Sequence, residues 1–304
     1  MSITLLEAAK LVQDPLKRGV IEIFPRVSPV LERLPFFGVN GQAYVYNQEE
    51  TLPGVAFRGI NESYTESTGV VNPQTERLYV LGGTSKVDRA LVKTQGNVNN
   101  LRATYDGMKA KAVSLEYTKK FFKGDNSSDV NEFDGLENRL TGDQVVDQGS
   151  TSGGDALTLA KLDEMIDQVQ GTPDVLFMNK TLRRKVNTLM RSAGQATETV
   201  SDSFGRQIPA YAGIPIAVVE EDKDGNLILA FDEDNPGGGT AASSSIYAVR
   251  FGAAEYVSGL QAGSMDVIDL GLDVTYYKTL IEWITGLGVF HPKSAARLRG
   301  IKNA

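Results

Sequence analysis

The segment GNVNNLRATYDGMKAKAVSLEYTKKFFKGD, residues 96–125, decides the fold class. Apolar or long amphipathic residues recur at Val98, Leu101, Tyr105, Met108, Ala112, Leu115, Lys119 and Phe122. These steps of three and four are the period of one helix face. The spacing predicts a helix over residues 96–123, about 40 Å long at 1.5 Å per residue, with Asn97 as N-cap and Gly124 as stop. From Lys93 to Lys123 the chain carries Lys93, Arg102, Lys109, Lys111, Lys119, Lys120 and Lys123 against only Asp106 and Glu116. The whole chain of 304 residues has 31 basic and 38 acidic residues, a net charge of −7. The segment is therefore a basic helix in an acidic protein.

On its N-terminal side, QAYVYN (42–47) and ERLYVL (76–81) alternate as strands do. The polar stretch between them, 48–75, has no helix period of its own, and connections that long tend to be functional. It reads as an extended two-stranded flap, with Glu49, Glu50, Glu62, Glu66 and Glu76 outnumbering Arg58 and Arg77. Further upstream, Pro15, Pro25, Pro29 and Pro35 prevent a long helix or a central strand. The apolar clusters between these prolines need a surface to lie on, either on this chain or on a neighbour. On the C-terminal side, 125–154 reads as a linker. A helix (158–169), a strand (174–179) and a helix (180–191) then alternate. GIPIAVVEE (213–221) and NLILAF (226–231) are predicted to pair through the turn Asp222–Gly225, and strands follow to the end.

Composition removes several functions. Zero cysteines and one histidine, His291, exclude disulfide frameworks, thiolate metal sites and any site needing two histidines. The net charge has the wrong sign for a protein whose main surface grips phosphates. The chain has no run of about 18 apolar residues and no secretory layout at its N-terminus, so a soluble protein of a cytoplasm-like space, without membrane contact, is expected. It has no nucleophile elbow, phosphate loop, dinucleotide fingerprint or zinc-protease pair. The acidic turn from Asp222 has Leu227 where a calcium loop needs glycine. No catalytic, cofactor or metal site is expected.

An apolar arm, an acidic flap without a core and a basic helix would each be completed if arm and flap of one copy lay over the helix of the next. The residues expected at that contact are Glu49, Glu50, Arg58, Glu62 and Glu66 on the flap with Arg102, Lys109, Lys111, Lys119 and Lys120 on the helix. Each exposed pair is worth only about 1 kcal/mol. Charge would set register and apolar burial, at about 25 cal/mol per Å², would supply affinity.

Four segments carry a resemblance over nearly the whole chain: ETLPGVAFRGINESYTESTG (50–69), the helix 96–125, FDGLENRL (133–140) and YYKTLIEWITGLGVFHPKSAARLRGI (276–301). The chain resembles the major capsid proteins of tailed bacteriophages with the HK97-like fold, an α+β class. The resemblance implies an N-terminal arm (1–41), an extended β-hairpin loop (42–85), a peripheral domain (86–154) with its spine helix (94–123), and an axial domain (155–259). It also implies C-terminal strands (260–304) that return to the peripheral domain. The implied function is non-enzymatic self-assembly, as hexamers and pentamers, into an icosahedral shell in the virion. That shell would form in the host cytoplasm and enclose DNA without sequence-specific binding. Implied partners are a portal, a decoration protein and, since the arm starts at Met1, a separate scaffolding protein. No lysine lies between Tyr44 and Ser85, so the lysine–asparagine cross-link that some family members make through this loop is not expected. The alternatives are an encapsulin-type nanocompartment shell and, from another class, a soluble enzyme with an unrecognised carboxylate site.

Overall fold

A computed structural model describes residues 28–90, 98–194, 198–201, 207–239 and 242–303. Most of the expected arm, together with Lys93 and the expected cap Asn97, lies outside the described residues. The chain begins with β1 (Phe36–Gly38), β2 (Ala43–Thr51), β3 (Val70–Arg77) and β4 (Tyr79–Asp88). Helix α1 (Val98–Lys123) and the one-turn helix α2 (Leu136–Arg139) follow. Next come β5 (Val145–Asp147), α3 (Leu159–Asp167), β6 (Val175–Met178) and α4 (Lys180–Ser192). The remaining strands are β7 (Glu198–Ser201), β8 (Gln207–Tyr211), β9 (Ile214–Val218), β10 (Ser243–Val249), β11 (Val257–Gln261), β12 (Asp266–Asp273), β13 (Tyr276–Val289) and β14 (Ala295–Lys302).

Two sheets share α1 as a common core element. In the first, the 14 residues of β13 are long enough for β12 to pair with its first half and β11 with its second. Its opposite edge is taken by β4, and β1 adds to β11. The second sheet has seven strands in the order β5-β14-β10-β6-β9-β8-β7. On α1, Tyr117 lies 5.1 Å from Trp283 of the first sheet, between ring centroids, and Phe122 lies 5.2 Å from Tyr247 of the second. Strand alternation explains how the second sheet serves two cores. Val175, Phe177, Tyr247 and Val249 face α1, whereas Leu176, Met178, Ile246 and Ala248 join the core under α3 and α4. A strand buried on both faces reads as an unbroken apolar run, as VLFM does.

Glycine sets how α2 meets the end of α1. The Gly135 amide donates to the Gly124 carbonyl at 2.9 Å. A Cβ at Gly135 would lie 2.6 Å from the backbone oxygens of Lys120 and Phe122. Only a residue without a side chain permits that approach.

Three expectations are corrected or resolved. Ala295–Lys302, which the resemblance groups with C-terminal strands returning to the peripheral domain, lies between β5 and β10 in the seven-stranded sheet, with Ala295 in the core around α1. The turn at His291–Ser294 redirects the chain, and a strand burying Ala295, Ala296, Leu298 and Ile301 requires cover on both faces. NLILAF makes no strand and leaves only an isolated bridge between Glu221 and Leu227. Its Leu229 carbonyl is taken by the Asn179 and Ser244 side chains instead of a ladder. The described part of the arm settles on its own chain, with Val30, Leu31, Leu34 and Phe36 buried in the core around α1.

Candidate assembly surfaces

The ribbon of β2 and β3 projects from the body and is anchored at its base only. Glu76 on β3 receives two hydrogen bonds from the Arg139 guanidinium of α2, at 2.6 and 2.7 Å, and Arg139 Nε donates to the Asp134 carbonyl at 2.8 Å. The Tyr46 hydroxyl donates to the Val289 carbonyl at 3.2 Å. Its ring meets Phe290 edge-on, with centroids 4.8 Å apart. Burial, reinforced by the Glu76 charge, pushes the Tyr46 hydroxyl up to about 12, so it remains a donor at any physiological pH.

Beyond the strands, residues 52–69 form an irregular tip whose apolar side chains meet water. Val55 is 95% exposed and Ile60 93%, with Leu52, Phe57 and Tyr64 exposed beside them. The tip's polar groups hold its own turn. The Gly59 amide donates to Glu62 at 2.8 Å, Arg58 donates to the Glu62 carbonyl at 3.0 Å, and the Arg58 guanidinium lies over Tyr64. Glu50 accepts from Asn72 across the ribbon at 2.7 Å. Arg58, Glu50 and Glu62, expected at a contact between copies, thus already have partners within the flap. Glu49 and Glu66 have none among the described residues.

Acids of the same chain reach the basic helix. Arg102 pairs with Asp269 at 2.7 Å, Lys119 with Asp222 at 2.9 Å, Lys123 with Asp232 at 2.7 Å, and Lys120 with Glu132. Lys109 lies over Gly83, and neither it nor Lys111 makes an ion pair among the described residues. Of the five helix residues expected to receive an acidic flap, only Lys109 and Lys111 keep unpaired charge.

A surface that the sequence reading missed lies on the face of the first sheet turned away from α1. There Val80, Ile268, Tyr276 and Ile284 are each more than 40% exposed. Alternation in these strands was legible, but which face would meet the helix was not. Among the described residues no group of acidic or histidine side chains is arranged to hold a metal, and no helix is long and apolar enough to cross a membrane.

The Lys119–Asp222 pair predicts a pH dependence. Burial pushes the Asp222 carboxyl up, but Lys119 and the amides of Asn226 and Asp224 outweigh it and hold the group below its ordinary value. A carboxyl lowered on folding contributes stability above its unfolded pKa of about 4, and that contribution is lost as pH falls through the folded value. Denaturant melts at pH 5.5 and 3 should therefore show acid destabilisation that Asp222→Asn reduces. An unchanged pH slope in the variant would remove Asp222 as its source.

Residues 14–159 match the family model described as Major capsid protein GP7. No curated protein matches the chain. Among solved structures, the SrpI encapsulin of Synechococcus elongatus PCC 7942 superposes with a TM-score of 0.65 at 17% identity, over 91% of this chain and 89% of that one. The capsid of a native GTA particle gives 0.63 at 13% identity, over 90% of each chain. A Mycobacterium phage Bobi chain gives 0.60 at 13% identity, over 98% of each. The fold common to these shells is the HK97-like fold.

Proposed function

We infer that this chain, a major capsid protein with the HK97-like fold, closes its shell by laying the apolar flap tip of each copy on a neighbouring copy. The observation that carries this reading is the tip itself. Five large apolar side chains stand in water at the end of a ribbon whose base is clamped to its own body. An apolar group that size yields about 1.5–3 kcal/mol when covered, and no part of the described chain covers it. The unpaired Glu49 and Glu66 of the flap and Lys109 and Lys111 of α1 supply charges that can set register between copies.

Within this reading residues 28–41 continue an arm, 42–85 form the extended loop, and α1 is the spine of a peripheral domain. The sheet around β6, β9 and β10 is the axial domain, which also takes in β14. Copies join as hexamers and pentamers in a virion shell that encloses DNA, assembled in the host cytoplasm with a portal, a separate scaffolding protein and a decoration protein. Negative-stain microscopy and size-exclusion chromatography of the purified chain test it: rings or shells are expected, and a stable monomer in dilute buffer would overturn it. The likeness to the encapsulin favours a second reading, a nanocompartment around protein cargo. The nucleic acid content of particles from the native source separates the two.

A further inference from the structure

Helix α4 is a second basic element. Its 13 residues include Lys180, Arg183, Arg184, Lys185 and Arg191 and no carboxylate. Leu182, Val186 and Met190 are buried under the seven-stranded sheet, so the helix period turns the cations outward. Capping does not explain them, because Asn179 already accepts from the Leu182 amide at 2.8 Å. Four of the five lie in the first half of the helix, where the macrodipole adds positive potential and disfavours cations. Lys185 is held by the Lys302 carbonyl at 2.7 Å, and burial, with Arg184 and Lys302 nearby, lowers its pKa. Lys180 pairs with Glu220 at 2.8 Å, both side chains being largely exposed. Arg183, Arg184 and Arg191 have no ion pair among the described residues. Together with Lys180 and Asn187 they line one shallow groove.

This arrangement costs stability and calls for a dense negative partner. Arg184 and Arg191 are seven residues apart, about 10 Å along the axis, so the two guanidinium groups can meet different phosphates of a polyanion that carries one charge per roughly 1.7 Å of duplex axis. Guanidinium forks suit phosphate geometry. The carboxylate that meets this helix, Glu220, is a single exposed charge already paired with Lys180. We propose that the outward face of α4 binds the phosphate backbone of double-stranded DNA without reading bases. The shell reading supplies the enclosed genome as the source of that DNA, but the binding chemistry does not depend on shell closure.

The test uses the full chain and a labelled 20-base-pair duplex followed by fluorescence anisotropy. Binding is expected at 50 mM salt, with a log–log salt slope of about −3 for three phosphate contacts. The variant Arg183→Ala/Arg184→Ala/Arg191→Ala is expected to bind at least tenfold more weakly and to lose most of the salt slope, with a thermal melt no lower than the parent's. Lys109→Ala/Lys111→Ala serves as the control and should bind as the parent does. Absence of binding, or equal binding by the triple variant, overturns the proposal. It is equally overturned if a peptide of residues 219–235 competes as well as DNA and the triple variant stops particle formation, which would make the face a contact between copies. DNA binding by a chain that forms no particles would sink the shell reading and leave this one standing.

Discussion

Replacing Val55, Phe57 and Ile60 together by serine is expected to abolish particle formation while leaving the subunit folded. The three side chains are exposed at the flap tip and contribute nothing to the core of their own chain. Substitutions at such positions change stability by about 0.5 kcal/mol or less. Against a neighbour, each covered side chain is worth about 2 kcal/mol. Losing three removes roughly 6 kcal/mol from every contact, or about 10⁴-fold in its dissociation constant. In the proposed shell every subunit would make this contact, so the loss would recur at every position. Size-exclusion chromatography with a thermal melt reads both halves of the expectation. Particles at parental yield would show that the tip does not carry the contact.

The second large effect is expected at the flap's base. Arg139→Leu leaves Glu76 buried, at 8% exposure, with its carboxylate stripped of both guanidinium bonds. Removing one partner of such a pair costs about 3 kcal/mol. Arg139→Lys falls between, because an ammonium offers a point charge where a fork is needed. Glu76→Leu/Arg139→Leu should recover part of the loss, since an apolar pair avoids the unpaired buried charge. Equilibrium denaturation measures the series, and protease cleavage in 52–69 reports whether the ribbon has come loose. An Arg139→Leu variant as stable as its parent would mean that Glu76 is solvated when unpaired and that the clamp is ornamental. Helix α2 carries a further link, because Glu137 beside Arg139 accepts from Arg297 of the seven-stranded sheet at 3.0 Å. One helical turn thus ties the flap base to the second sheet.

The long helix was legible because its signal repeats. Steps of three and four from Val98 to Phe122 fall on one face whatever the rest of the chain does, and α1 ends at Lys123 as the spacing predicts. The strand 276–289 was legible from its β-branched and aromatic residues, and 175–178 from its unbroken apolar run. The NLILAF hairpin misled because a good turn at Asp222–Gly225 says nothing about where the next carbonyls go. The basic face of α4 is written in the letters KTLRRKVNTLMRS, but five cations on a short helix do not by themselves mark a site. Its charge becomes informative only beside the finding that α1 is largely neutralised by its own chain.

Local periodicity, composition and the absence of cysteine were enough to establish one long helix, many strands, a projecting flap without lysine and no disulfide or thiolate chemistry. These follow from repeats of 3.6 and 2 residues and from residue inventory, neither of which requires knowing what lies across the fold. The three-dimensional arrangement alone decided that Asp222, Asp232 and Asp269 reach α1, that β14 enters the second sheet, and that Glu76 finds Arg139. Ion pairs and strand partners act over a few ångströms between residues tens to more than a hundred positions apart, and that proximity is created by packing rather than by any local repeat.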